Sequence, residues 1–187
     1  MEFGGPSFFL AYHGKDDRAL MESLCALFRG CAPEFNYRSP HLDGWQPPSR
    51  AGRRVRVGIL SEFLVAHTIG KLYQGLIREL DRRQFEVVVF HTPRAKRDAV
   101  RESIDRAADR SVTLPESLGA MHRVLAGERL DVLFYPDIGM SPASYHLAYA
   151  RLAPVQVLAW GHPDTTGIDT MDYFLSADAI EPPGAEQ

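Results

Sequence analysis

From Arg53 onward, short β-rich apolar runs alternate with amphipathic stretches of roughly 10 to 15 residues, the pattern of a parallel sheet whose strands are joined by helices. Strands are expected over 55–60, 85–91, 111–114, 131–135, 155–159 and 172–176. Helices are expected over 68–82, 95–108, 116–127 and near 142–151. Leu72, Leu76, Ile77 and Leu80 are assigned to the core face of the first of these. The fold class is α/β, a Rossmann-like parallel sheet with helices on both faces. Ligands of such sheets sit beyond the carboxyl ends of the strands. Attention therefore falls on the segments 61–70, 91–96, 136–140 and 161–167.

Upstream, residues 14–30 read as a helix capped by Asp16 or Asp17, with Leu20, Leu24, Leu27 and Phe28 on its inner face and Gly30 and Pro33 as its stop. Residues 31–52 form a linker in which Pro33, Pro40, Pro47 and Pro48 forbid a continuous helix or central strand. Phe35, Tyr37 and Trp45 imply that it packs onto the domain. The division is a helix with its linker over 1–52 and the sheet domain over 53–187.

Several function classes are excluded. A formal net charge of -3 gives no electrostatic case for nucleic acid. The run from Arg50 to Arg56 reads as a solvated linker, and Asp98, Asp105 and Asp109 as solvated helix charge. Cys25 and Cys31 fit no zinc or redox spacing, so no metal is expected and a reducing cytoplasm is the default. No signal peptide and no membrane-spanning run is found.

The loop after the first strand, Ser61 to Gly70, lacks a G-x-G-x-x-G phosphate cradle, which argues against a simple dehydrogenase. His67 stands where that loop becomes a helix. It either meets an oxygen or a proton in a cleft or merely caps the helix. Gly161-His162-Pro163-Asp164-Thr165-Thr166-Gly167 is the most specific segment. Its glycines and proline build a sharp loop, and His162, Thr165 and Thr166 supply donors and acceptors. A binding loop and an ordinary turn remain open readings. Asp137 could orient a hydroxyl, but an Asp before a glycine turn is also common punctuation. His13 lies at the start of the first helix, a place where a lone histidine is usually structural. No carboxylate pair suggests a glycosidase.

These residues carry a resemblance. Arg151-Leu152-Ala153-Pro154-Val155-Gln156, Trp160-Gly161-His162-Pro163-Asp164-Thr165-Thr166-Gly167 and Met171-Asp172-Tyr173 together resemble an ordered motif of the O-linked N-acetylglucosamine transferase and SPINDLY glycosyltransferases, in their bacterial form. Val55-Arg56-Val57-Gly58 with Ser61 and His67, Leu130-Asp131-Val132-Leu133, and Tyr12-His13-Gly14 with Asp17-Arg18 extend it from about Phe8 to Glu181. The resemblance implies the N-terminal half of a GT-B fold, in which a second Rossmann-like domain holds the nucleotide-sugar donor. It implies inverting, metal-independent transfer with no cofactor, the donor being a substrate such as UDP-N-acetylglucosamine and the acceptor a protein or peptide hydroxyl. His67 and His13 match histidines of the family's cleft, and Gly161 and Pro163 match residues near the donor sugar.

One departure is Phe63, with Glu62 beside it, where the family often has Asp; Leu64 then stands in for an aromatic. Within these 187 residues neither helical repeats nor a donor domain is read, so the chain alone is expected not to turn over. The alternatives are a protein N-glucosyltransferase of the same fold and a non-catalytic binding or scaffold module. A periplasmic-type ligand binder is disfavoured by the absent signal peptide.

Overall fold

A computed structural model describes residues 8–49, 52–162 and 165–181. Pro163 and Asp164 of the expected binding loop, and Arg50 of the basic run, lie outside the described residues. The strands are β1 (Val55–Leu60), β2 (Phe85–His91), β3 (Arg110–Thr113), β4 (Val132–Tyr135), β5 (Val155–Ala159) and β6 (Tyr173–Leu175). The helices are α1 (Arg18–Cys31), α2 (Thr68–Glu79), α3 (Ala99–Ala107), α4 (Leu118–Glu128) and α5 (Pro142–Ala148). All strand pairs are parallel in the order β3-β2-β1-β4-β5-β6. The chain builds outward from β1 to β3, then returns to place β4 on the other side of β1. That reversal makes the gap between β1 and β4 the topological switch point, where doubly wound sheets bind ligands.

Alternation along the strands sorts the core into two layers. Ile59, Val87, Val89, Phe134 and Ala159 meet Ile69, Tyr73 and Ile77 of α2 and Ile104 of α3. Leu60, Val88, Phe90, Leu133, Tyr135 and Leu158 meet Cys25 of α1, Met121 and Leu125 of α4, and Tyr145 and Tyr149 at α5. Each Val, Leu, Ile, Phe or Met side chain among these contributes about 1.5–3 kcal/mol on leaving water.

The linker is packed, as its aromatics imply. Phe35 is buried against Phe28 and Tyr149. Tyr37 stacks on His122 with ring centroids 4.6 Å apart. The Trp45 indole donates to Asp131 Oδ1 at 2.9 Å.

Several expectations need correction. The inner stripe of α1 is Met21 and Cys25, with Phe28 packed against the core, whereas Leu20 and Leu27 are 53% and 58% exposed. The helix also starts late, because a 3-10 turn over Leu10–His13 ends on Gly14 in the left-handed region (φ 63). Asp17 precedes it without a side-chain cap bond, while Asp16 Oδ1 accepts from Arg18 N at 3.1 Å, and the helix runs through Gly30 to Cys31. On α2 the buried stripe is Ile69, Tyr73 and Ile77, one turn apart, while Leu72 and Leu76 face outward.

The basic run is not a solvated linker. Arg53 grips Asp131 with both terminal nitrogens, Arg54 pairs with Asp109 at 2.8 Å, and Arg56 donates to the Glu128 carbonyl at 2.7 Å. Nor are the three aspartates solvated charge. Asp98 caps α3 by accepting from Val100 N and Arg101 N, Asp105 bonds His91 Nε2 at 2.7 Å, and Asp109 accepts from Val87 N at 2.9 Å.

Candidate active site

The carboxyl ends of β1, β4 and β5 meet at the switch point. Leaving β1, the chain turns at Ser61, whose hydroxyl donates to Asp137 Oδ2 and accepts from Phe63 N, both at 2.8 Å. Glu62 Oε2 accepts from the Ser141 hydroxyl at 2.6 Å and the Thr92 hydroxyl at 3.2 Å. One carboxylate thus ties together the segments that follow β1, β2 and β4. A fourth tie runs from Ala66 N to Asp98 Oδ2 at 2.7 Å, anchoring the same loop to the start of α3.

His67 ends this loop as the N-cap of α2. Its backbone is extended (φ -127, ψ 163), and its Nδ1 accepts from Ile69 N at 3.2 Å. The imidazole lies 4.7 Å, centroid to centroid, from the Phe63 ring and is half-buried. Capping and cleft-facing are compatible at this residue, since Nδ1 makes the cap bond and no hydrogen bond to Nε2 is found among the described residues. Gly70 makes the turn feasible, because a Cβ there would stand 2.0 Å from the Val65 carbonyl oxygen.

From β5, Gly161 N donates to the Pro136 carbonyl at 3.0 Å, joining the β4 and β5 loops. A Cβ on Gly161 would meet that oxygen at 2.2 Å, so packing alone demands glycine here. His162 is buried, with Nε2 3.2 Å from the Phe8 carbonyl oxygen and its ring 4.8 Å from that of Phe8. Through Phe8 the exposed 3-10 turn carrying His13 sits on the same edge of the sheet. No hydrogen bond joins His13 to His67 among the described residues.

The rest of the expected loop turns away from β1. Thr165 is exposed, and the Thr166 hydroxyl accepts from Ile168 N at 3.3 Å. Gly167 (φ 62) backs onto α1, where a Cβ would be 2.3 Å from the Met21 carbonyl carbon. Thr165 and Thr166 line an open cleft of about 580 Å³ with Arg18, Cys25 and Arg29 rather than meeting His67. A cleft of about 600 Å³ lies at the opposite, amino-terminal edge of the sheet. Of its arginines, Arg53, Arg54 and Arg56 are held by Asp131, Asp109 and Glu86.

From sequence, Asp137 is open between orienting a hydroxyl and punctuating a turn, and Glu62 is marked only as the neighbour of Phe63. Asp137 is completely buried and its Oδ1 has no partner among the described residues. Burial pushes its carboxyl up to about 7; the Ser61 hydrogen bond opposes the shift and the neighbouring Glu62 charge adds to it. The available signal was positional: Asp137 comes two residues after β4, at the switch point itself.

An α/β sheet of this strand order, with a polar knot and a helix N-terminus at the switch point, defines a Rossmann-like domain, a class whose ligands sit at the carboxyl edge of the sheet. The chain belongs to glycosyl transferase family 41, whose model matches residues 39–186. It is 22% identical over 176 residues to the probable UDP-N-acetylglucosamine–peptide N-acetylglucosaminyltransferase SPINDLY of Arabidopsis thaliana, covering 91% of this chain and 19% of that protein. It is 27% identical over 133 residues to the UDP-glucose:protein N-beta-glucosyltransferase of Actinobacillus pleuropneumoniae serotype 5b, covering 69% of this chain and 21% of that one. In structure it resembles the Thermobaculum terrenum O-GlcNAc transferase with a TM-score of 0.66 and 25% identity, over 74% of this chain and 27% of that one. The chain thus spans about a fifth of the length of these curated relatives. Among the described residues no helix is long and apolar enough to cross a membrane.

Proposed function

We propose that this chain forms one wall of the cleft of a protein glycosyltransferase, with the reacting groups meeting at the carboxyl edge over β1, β4 and β5. The observation that carries the reading is the meeting of His67, Gly161 and the Ser61–Asp137 pair at the switch point, in a chain of this family. The transfer is read as inverting and metal-independent, from UDP-N-acetylglucosamine to a protein hydroxyl, in the cytoplasm. A second domain supplies most of the nucleotide's contacts, since the loop after β1 offers no glycine-rich phosphate cradle. His67 is the first candidate for contact with the reacting groups and His13 the second, with Gly161, His162, Pro163, Thr165 and Thr166 on the sugar or acceptor side.

The similarity to a protein N-glucosyltransferase supports a second reading, with UDP-glucose as donor and an asparagine amide as acceptor. Incubating the full-length protein with each UDP-sugar and mapping modified peptides by mass spectrometry decides between them. N-acetylhexosamine on Ser or Thr supports the first, hexose on Asn the second, and transfer from neither donor removes both.

A further inference from the structure

The loop after β1 fixes more about His67 than its position. A backbone N–H can only donate, so the Ile69 N–H that points at His67 Nδ1 requires a lone pair on that nitrogen. A neutral imidazole has one such lone pair and one N–H. With Nδ1 accepting, the ring proton resides on Nε2. The ring cannot easily turn over, which would put Cδ2–H in place of Nδ1 against the Ile69 N–H, because Phe63 lies against it at 4.7 Å and the extended His67 backbone aims the side chain back at its own helix. Ser61 holds Phe63 in turn, by accepting from its backbone N–H while donating to Asp137.

We propose that His67 serves the reaction as a hydrogen-bond donor through Nε2–H, to a carbonyl or phosphoryl oxygen of the substrates, and not as the base that removes the acceptor's proton. A base at this position would need its lone pair on Nε2, and the proton then forced onto Nδ1 would face the Ile69 N–H. The first turn of α2 adds to the preference for an electron-rich oxygen, since a helix N-terminus carries partial positive charge. Donation to an oxygen that gains negative charge as the glycosidic bond to the diphosphate breaks is the kind of contact that strengthens toward the transition state. No proton is transferred to or from His67 in this role, so the acceptor's proton leaves by another group or to water. The inference rests on the reading that the edge over β1 is the reactive one.

Two measurements test it separately. Long-range ¹H–¹⁵N correlation spectra of the ¹⁵N-labelled chain at about pH 8, well above the ordinary histidine value of about 6.5, identify the protonated ring nitrogen. Protonated Nε2 and bare Nδ1 are expected for His67; protonated Nδ1, or an even mixture, overturns the donor assignment whatever the enzyme does. In the full-length enzyme, His67→Asn keeps an acceptor where Nδ1 caps the helix but has no group at Nε2, while His67→Gln places an amide N–H₂ near Nε2. The expected result is a thermal midpoint for His67→Asn close to the parent's, a fall in kcat of at least about tenfold with KM little changed, and partial recovery of kcat in His67→Gln. Gln and Asn variants equally impaired in kcat contradict donation by Nε2. Parental turnover in His67→Asn, with Nε2 protonated in the spectra, leaves the tautomer intact and removes the edge over β1 from the reaction.

Discussion

At the residue scale the structure turns several ambiguous side chains into definite ones. Asp137, which the sequence leaves open between orienting a hydroxyl and punctuating a turn, is a buried acid with one oxygen bonded to the Ser61 hydroxyl and the other without a partner among the described residues. Its carboxyl is held at about 7 in the fold, against about 3.9 in an unfolded chain. The fold therefore binds this proton more tightly than the unfolded chain does. The contribution of Asp137 to stability is fully present below about pH 4 and is lost as pH rises through about 7. Asp137→Asn keeps an acceptor for Ser61 and cannot ionise. Its thermal midpoint is expected to rise relative to the parent's between about pH 4 and pH 7, and parallel profiles for the two proteins would refute the buried-acid reading. The comparison must be made between variants, because His122 has the opposite sign. Burial lowers its imidazole to about 4, so its contribution is present above the ordinary value of about 6.5 and is lost as pH falls toward 4. His122→Phe keeps an aromatic ring against Tyr37. Differential scanning of this variant is expected to show a smaller loss of midpoint between about pH 6.5 and 4; an unchanged acid limb would contradict it.

At the scale of elements, the strands were the most legible part. The bounds of β1, β2 and β5 coincide with the expected ones, because a β-branched run between turn residues has few alternatives. Helix faces were harder to read. In α1 a leucine stripe (Leu20, Leu24, Leu27) lies beside a second stripe (Met21, Cys25, Phe28), and both satisfy helical spacing. The second faces the sheet because Gly167 brings its backbone against Met21, a tertiary contact with no local signature. The candidate site was legible as a set of loops but not as a set of contacts. His67 and Gly161 do meet one edge, whereas Thr165 and Thr166 follow their loop toward α1. Glycines give a sharp test of the loop before α2. Gly70→Ala would drive a Cβ into the Val65 carbonyl, so a loss of about 1–3 kcal/mol is expected in denaturant unfolding. Gly75→Ala, on the same helix with open space around it, is expected to gain about 0.5–1 kcal/mol. Equal effects at the two positions would contradict the close packing of that loop on α2.

At the scale of the molecule, the parallel sheet gathers the candidate residues His67, Asp137 and Gly161 at the carboxyl edge. Reading the alternation of strands and helices was enough to find that edge, since the carboxyl ends of parallel strands are where such folds bind. It was not enough to name a ligand, because the same architecture serves many chemistries. With no phosphate cradle after β1, the isolated chain is expected to bind uridine diphosphate weakly or not at all in calorimetric titration. Low-micromolar affinity would place the nucleotide on this domain instead. The central claim is that this domain is one wall of a sugar-transferring cleft. The most direct measurement is mass spectrometry of acceptor proteins after incubation with the full-length protein and UDP-N-acetylglucosamine, run beside its His67→Asn variant. The account predicts a single N-acetylhexosamine on Ser or Thr side chains with the parent and at least about tenfold less with the variant; no sugar on any protein, and no release of uridine diphosphate, would contradict it.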